Sequence, residues 1–163
     1  MATPIFPGRY TADVEGDFVV FVIGMRVNRP WKLRKWLSVA RAMPPMVEYL
    51  ETHPEAGCLA TRRGMFSPLQ PMLIQYWRSF DDLERFARRE TLHSEPWKAF
   101  FKIVGLGGDV GIWHETFQVR AGEYESIYGN MPRAGLALAG EHRAMGSAAR
   151  EAARDRMGSG AAA

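Results

Sequence analysis

An α+β fold is what the chain predicts, and three observations carry that expectation. Hydrophobic periodicity alternates between two residues and about 3.6 in the order strand, helix, strand, strand, helix, strand over residues 16 to 119. The period-two runs are rich in β-branched and aromatic residues and end at Pro or Gly turns. One of them, Asp17 to Val27, is apolar on both parities, so both of its faces must be covered. A βαββαβ order is the ferredoxin-like arrangement: a four-stranded antiparallel sheet with its helices on one face. The bare face then suits a second sheet, and a homodimer follows from the pattern.

The elements take their places in order. Residues 1 to 15 hold Pro4, Pro7 and Gly8 and read as an arm on the surface. In the first strand Phe18, Val20 and Val22 oppose Val19, Phe21, Ile23 and Met25. Pro30 opens a helix whose Leu33, Trp36, Leu37 and Ala40 fall on one side, and Pro44-Pro45 is expected to break it before Met46, Val47 and Leu50 resume at a new angle. Its outer face carries Arg29, Lys32, Arg34, Lys35 and Arg41, and with Trp31 and Trp36 the pattern suits anionic lipid or an acidic partner or, more plainly, a solvated helix face.

Cys58 to Phe66 and Gln70 to Arg78 read as the next two strands, the second with Ile74, Tyr76 and Arg78 opposing Leu73, Gln75 and Trp77. Ser79 to Asp82 has the form of a capping box ahead of Leu83, Phe86 and Ala87. His93 lies in a break before Pro96 restarts the helix with Trp97, Phe100, Phe101 and Val104 on one side. After Gly105, Gly107 and Gly108 the last strand runs to Val119, with Val110, Ile112, His114, Thr116 and Gln118 on one face and Trp113, Glu115, Phe117 and Val119 on the other. Residues 120 to 140 read as a C-terminal arm, and the Ala, Arg and Gly-rich residues 141 to 163 as a frayed helix running into disorder.

Composition narrows the function. With 163 residues, 47% of them hydrophobic, the chain suits one domain with an appendage. Cys58 is the single cysteine, so neither an internal disulfide nor a multi-cysteine metal cluster is available, and a cytoplasmic, reducing setting is expected. The N-terminus resembles no leader, and no apolar run nears the ~18 residues of a membrane span, so a soluble protein is expected. A net charge of +3 gives nucleic acid little support. No Walker A sequence occurs, Gly105-Leu-Gly107-Gly108 lacks the register of a dinucleotide loop, and His53, His93, His114 and His142 show no close metal spacing. No flavin or nicotinamide motif is seen.

What remains is the pair His93 and His114, with Tyr76 and Arg78 at the end of an adjacent strand and Trp97, Phe101 and Trp113 as aromatic pocket walls. The plain structural alternative stays open: His93 caps a helix, His114 bonds a buried backbone group, and Tyr76 and Arg78 finish a strand.

The succession Tyr76-Trp77-Arg78-Ser79-Phe80-Asp81-Asp82-Leu83-Glu84-Arg85-Phe86-Ala87, His93, Trp113-His114-Glu115 and Tyr128-Gly129-Asn130-Met131-Pro132 resembles the monooxygenase-like family of the dimeric α+β-barrel superfamily, near the antibiotic-biosynthesis monooxygenases. The resemblance implies a homodimeric monooxygenase of specialised metabolism, with a hydrophobic, phenolic or polyketide- or terpenoid-like substrate. His114 would remove a proton and Arg78 stabilise the resulting anion, with no cofactor required. The same segment also resembles the C-terminal half of haem-containing aldoxime dehydratases. That likeness implies His93 as axial iron ligand, His114 as distal acid–base group, and Arg88 or Arg89 as partners of the haem propionates. The dehydratases have two ferredoxin-like units where this chain has one, so groups from their first half have no counterpart here. A third possibility is a small-molecule-binding protein of the same fold without turnover.

Overall fold

The structure, a computed structural model, describes residues 3–89, 107–145 and Met157, apart from the side chain of Arg89. Its elements are β1 (Phe6–Asp13), β2 (Phe18–Val27), α1 (Leu33–Thr52), β3 (Cys58–Ser67), β4 (Gln70–Trp77), α2 (Phe80–Arg89), β5 (Val110–Val119), β6 (Tyr128–Met131) and β7 (Glu141–Ala144), with short 3-10 turns at Pro54–Ala56 and Gly135–Leu138. The central sheet runs β3-β4-β2-β5, with every neighbour antiparallel. This is the ferredoxin-like α+β arrangement, and its four strands are those expected from the periodicity.

The two parities of β2 look onto different surroundings. Val19 pairs with Trp77 and Gln118, Phe21 with Gln75 and Thr116, and Ile23 with Leu73 and His114, so these residues share the face on which the helices lie. At one end of that face Val19, Cys58, Trp77, Met46, Leu50, Leu83 and Phe86 form the main core. Cys58 is a free, buried strand residue, and burial pushes its thiol pKa up.

Phe18 and Val20 face the other way, where the chain's own arms cover them. The expected surface arm is instead the middle strand of a second sheet, ordered β6-β1-β7. The expected frayed helix after residue 140 begins as the strand β7, whose Glu141 to Ala144 pair with Asp13 to Tyr10. Ala12, Val14, Leu136 and Ala137 then close over Phe18, with Tyr124 and Tyr128 beside them. Beyond this cover Trp113 lies across Gly24, where a Cβ would fall 2.8 Å from the indole, and stacks on the exposed Phe66. A side chain at Gly24 would lift that indole off the sheet.

Helix α1 departs from the expected break, since it runs through Pro44 and Pro45 as one helix of 20 residues. A proline in a helix interior costs about 3 kcal/mol. Beyond the prolines Met46, Val47 and Leu50 are all buried, and burying such side chains is worth about 1.5–3 kcal/mol each. Tertiary burial therefore sets the direction of the second half. Among the described residues no helix is long and apolar enough to cross a membrane.

Candidate functional site

Between α1, α2 and the helix face of β2, β4 and β5 lies a cavity of about 450 Å³. Phe21, Met43, Met46, Leu73, Leu83 and Phe86 give it apolar walls, while Ser38, Gln75, Glu84, Arg88, His114 and Thr116 add polar groups. Its depth follows from sequence at two points. Ala40 and Ala42 on α1 leave room where larger side chains would meet the sheet, and β5 is an edge strand of the central sheet among the described residues.

His114 stands on that edge, exposed, with its ring centroid 5.5 Å from that of Phe21. Such a histidine can reach both solvent and the cavity, as a group that takes and releases protons must. Arg88 also lines the cavity and pairs with Glu84 at 2.8 Å. Gln75 on the central strand β4 is 5% exposed, and its Oε1 accepts a hydrogen bond of 3.2 Å from Trp77 Nε1.

The remaining expected site residues go elsewhere. Trp113 sits on the opposite face of β5, so it cannot wall the same cavity as His114. Tyr76 is also on the opposite face, and its hydroxyl would lie 3.5 Å from a Cβ at Gly135, as would that of Tyr128. Burial, then the nearby Tyr128, raises the Tyr76 pKa. Arg78 is drawn to the first turn of α2, where its Nε donates to Asp82 Oδ2 at 2.8 Å. Arg85 donates to the other oxygen of the same carboxylate, and the Asp82 N–H donates to Ser79 Oγ. Only the forward half of the expected capping box forms, because the carboxylate serves the two arginines. The Asp82 pKa is lowered: burial opposes the shift, and the hydrogen bonds from Arg78, Arg85 and Ser79 outweigh it. Arg78 is thereby held away from the cavity as an anion-stabilising group. His93, Trp97, Phe101 and the side chain of Arg89 lie outside the described residues.

The basic stretch ahead of α1 also has an internal partner. Arg29, Lys32 and Lys35 converge on the buried Asp109 carboxylate at 2.7, 3.0 and 2.6 Å, which joins the start of β5 to α1. Hydrogen bonds from Lys35, then Lys32, then Arg29 hold that carboxyl well below the usual carboxylate range. Three of the five cations considered for an anionic surface are thus directed inward to one acid.

Comparison with known proteins places the chain. It is 32% identical over 125 residues to the protein named Monooxygenase af470 of Aspergillus fumigatus, an alignment covering 71% of this chain and 44% of the relative. Among solved structures it is similar to an aldoxime dehydratase in complex with butyraldoxime, with a TM-score of 0.69 at 17% identity over 89% of this chain and 42% of that one. A second aldoxime dehydratase matches with a TM-score of 0.67 at 18% identity over 90% and 44%. The chain therefore spans less than half the length of these relatives, and the structural likeness shows the fold. Residues 18–136 match the family model Monooxygenase af470-like, and the chain belongs to that family.

Proposed function

We propose that the protein is a monooxygenase that holds a small, hydrophobic, electron-rich substrate, phenolic or polyketide- or terpenoid-like, in the cavity between helices and sheet. Family membership supports the reaction class. The observation that carries the rest is a largely apolar cavity of about 450 Å³ with the exposed His114 of the edge strand β5 in its wall.

His114 takes a proton from an activated CH₂ group of the substrate, and the resulting carbanion is spread over the electron-rich ring. Dioxygen adds at that carbon and takes up a proton to give a hydroperoxide. Loss of water, with departure of the second hydrogen, leaves a carbonyl. Both C–H bonds supply the electrons that reduce the second oxygen atom to water, so the sequence balances without an external reductant. The exposed edge lets His114 return its proton to solvent.

The test is oxygen uptake with phenolic and anthrone-type substrates. His114→Ala is expected to lose about 10²–10⁴-fold in rate, while Tyr76→Phe, on the other face, stays within about twofold of the starting rate. Equal rates in His114→Ala and the starting protein would remove His114 from the mechanism. A homodimer through the uncovered part of the arm face, where Phe66 and Phe117 are exposed beside Trp113, belongs to the same proposal.

A second reading, a haem enzyme of aldoxime dehydratase type, is favoured by the placement of His114 and Arg88 on one cavity. Those residues fit: an apolar chamber, a cation for a propionate and a proton-transfer group. His93 would hold the iron, which supplies Lewis-acid or redox chemistry when bound, and His114 would exchange a proton with the substrate. Haem titration followed by absorption, on the starting protein and on His93→Ala, decides this reading. A sharp Soret band lost in the variant supports it, and no saturable binding overturns it.

A further inference from the structure

Gln75 lies on the helix face of β4 between Leu73 and Trp77, and its terminal amide is held in one orientation. Trp77 is fully buried, and its indole nitrogen can only donate a hydrogen bond. The atom that receives it at 3.2 Å must therefore be the amide oxygen of Gln75. The two N–H bonds are thereby turned to the other side. Among the described residues nothing accepts from them, and Gln75 is part of the cavity wall. A residue that is 5% exposed thus offers a fixed, neutral donor to the cavity at a point between the apolar Phe21 and Leu73.

We infer that Gln75 Nε2 binds a neutral oxygen of the substrate, a ketone or phenol, and so sets which way round the molecule lies; the inference rests on the cavity being the substrate site. A neutral amide offers no countercharge at that point of the wall, and Arg88 in the same wall is already paired with Glu84, so the site suits a carbonyl or phenolic oxygen over an acid. The register adds a distance. Gln75 is paired with Phe21, and Ile23, two residues further along β2, is paired with His114. Gln75 and His114 therefore stand two strands across and two residues along the sheet from each other, roughly 11–12 Å between backbones. The substrate accordingly carries its acceptor oxygen about one fused ring away from the carbon that His114 deprotonates. A small monocyclic phenol would reach one group or the other.

Two probes of the same shape separate the possibilities: a naphthyl methyl ketone and the corresponding ethylnaphthalene, which lacks the oxygen. Their binding is measured by fluorescence titration of the full chain, with the Gln75 side-chain amide resonance followed by NMR. The starting protein is expected to prefer the ketone by about three- to tenfold, the worth of one net hydrogen bond, with the amide resonance moving for the ketone alone. Gln75→Leu combined with Trp77→Phe removes donor and acceptor together, so that neither is left buried and unpaired. This variant is expected to bind both probes alike. A starting protein without preference, or a preference that survives in the double variant, overturns the role of Gln75 while leaving the cavity as the site. Failure of the starting protein to bind either probe overturns the cavity reading, and the inference with it.

Discussion

On the arm face of the central sheet, Phe18 is closed in by Ala12, Leu136 and Ala137, and polar groups nearby find partners within the chain. The Val14 N–H donates to Tyr124 Oη at 2.6 Å, the same hydroxyl donates back to Val14 O, and the Ala137 N–H donates to Tyr128 Oη. On the helix face the same strands look onto a cavity of about 450 Å³, with Gln75 and His114 turned toward it. A ferredoxin-like sheet can thus seal one side with its own termini and keep the other available for a ligand. On the sealed side Tyr124 and Tyr128 tie the arms together by hydrogen bonds, and among the described residues His142 Nε2 is the one buried side-chain polar atom without a partner. Polar groups facing a void mark the working side.

That contrast is tested most strongly at Trp77, where the helix face changes from core to cavity. Trp77 is fully buried against Phe86, with ring centroids 5.6 Å apart. Trp77→Ala is expected to cost about 3–5 kcal/mol, read as a shift in the urea midpoint. A loss below about 1 kcal/mol would mean that the whole helix face is loosely packed, and the contrast between its two ends would disappear.

A matched pair of enlargements sharpens the comparison between the faces. Ala137 is fully buried on the arm face, so Ala137→Leu is expected to cost about 1–3 kcal/mol through overpacking. Ala42 borders the cavity, so Ala42→Leu should leave stability unchanged or raised and weaken binding of a naphthyl ketone. Equal destabilisation by both changes would show that the cavity is not free space. A smaller effect is expected at the roof of the cavity. Ser79→Ala removes the cap of α2 and should cost about 1 kcal/mol, again read by urea denaturation.

How much of this was legible in the sequence depends on the range of the forces involved. Strand parity is local: alternation in Phe18 to Met25 assigned both faces of β2, and alternation after Gly108 placed His114 and Trp113 on opposite faces. Placing Trp113 in one pocket with His114 ran against that same parity, whereas the face of Tyr76 relative to His114 is set by the register of β4 and β5 on β2, which no single strand supplies. The second sheet left no local trace. Pro7 and Gly8 interrupt the pattern of β1, its register slips between Phe6 and Arg9, and its partners lie at Tyr128–Met131 and Glu141–Ala144. The continuous α1 was hidden for a related reason, since proline acts locally whereas Met46, Val47 and Leu50 act through the core. Gln75 had a readable signal, an amide on the parity of Leu73 and Trp77. Its orientation depends on the indole hydrogen bond, which parity alone does not supply.

The smallest expected effect belongs to the arm face and depends on pH. His142 on β7 stacks on Tyr10 with centroids 4.5 Å apart and meets Phe6 and Tyr128 edge-on, and its Nε2 is buried without a hydrogen-bond partner. Burial, then the positive charge of Arg133, lowers its pKa. The neutral ring is therefore the form that the folded arm prefers. Its contribution is complete above the ordinary imidazole pKa of about 6.5 and is lost as the pH falls through that value toward the lower folded one, because the unfolded chain then binds the proton more readily. Amide exchange in β1 and β7 is expected to quicken on acidification over that interval, whereas exchange in β2 and β4, beside the cavity, should not follow it. His142→Phe keeps the aromatic stack and removes the titrating group, so its arm should lose this pH dependence. A pH dependence that persists in His142→Phe would assign it to another group in the arm. One that extends equally to β2 and β4 would show that the arm and the central sheet open as a single unit, and that sealing one face is not separable from keeping the other available.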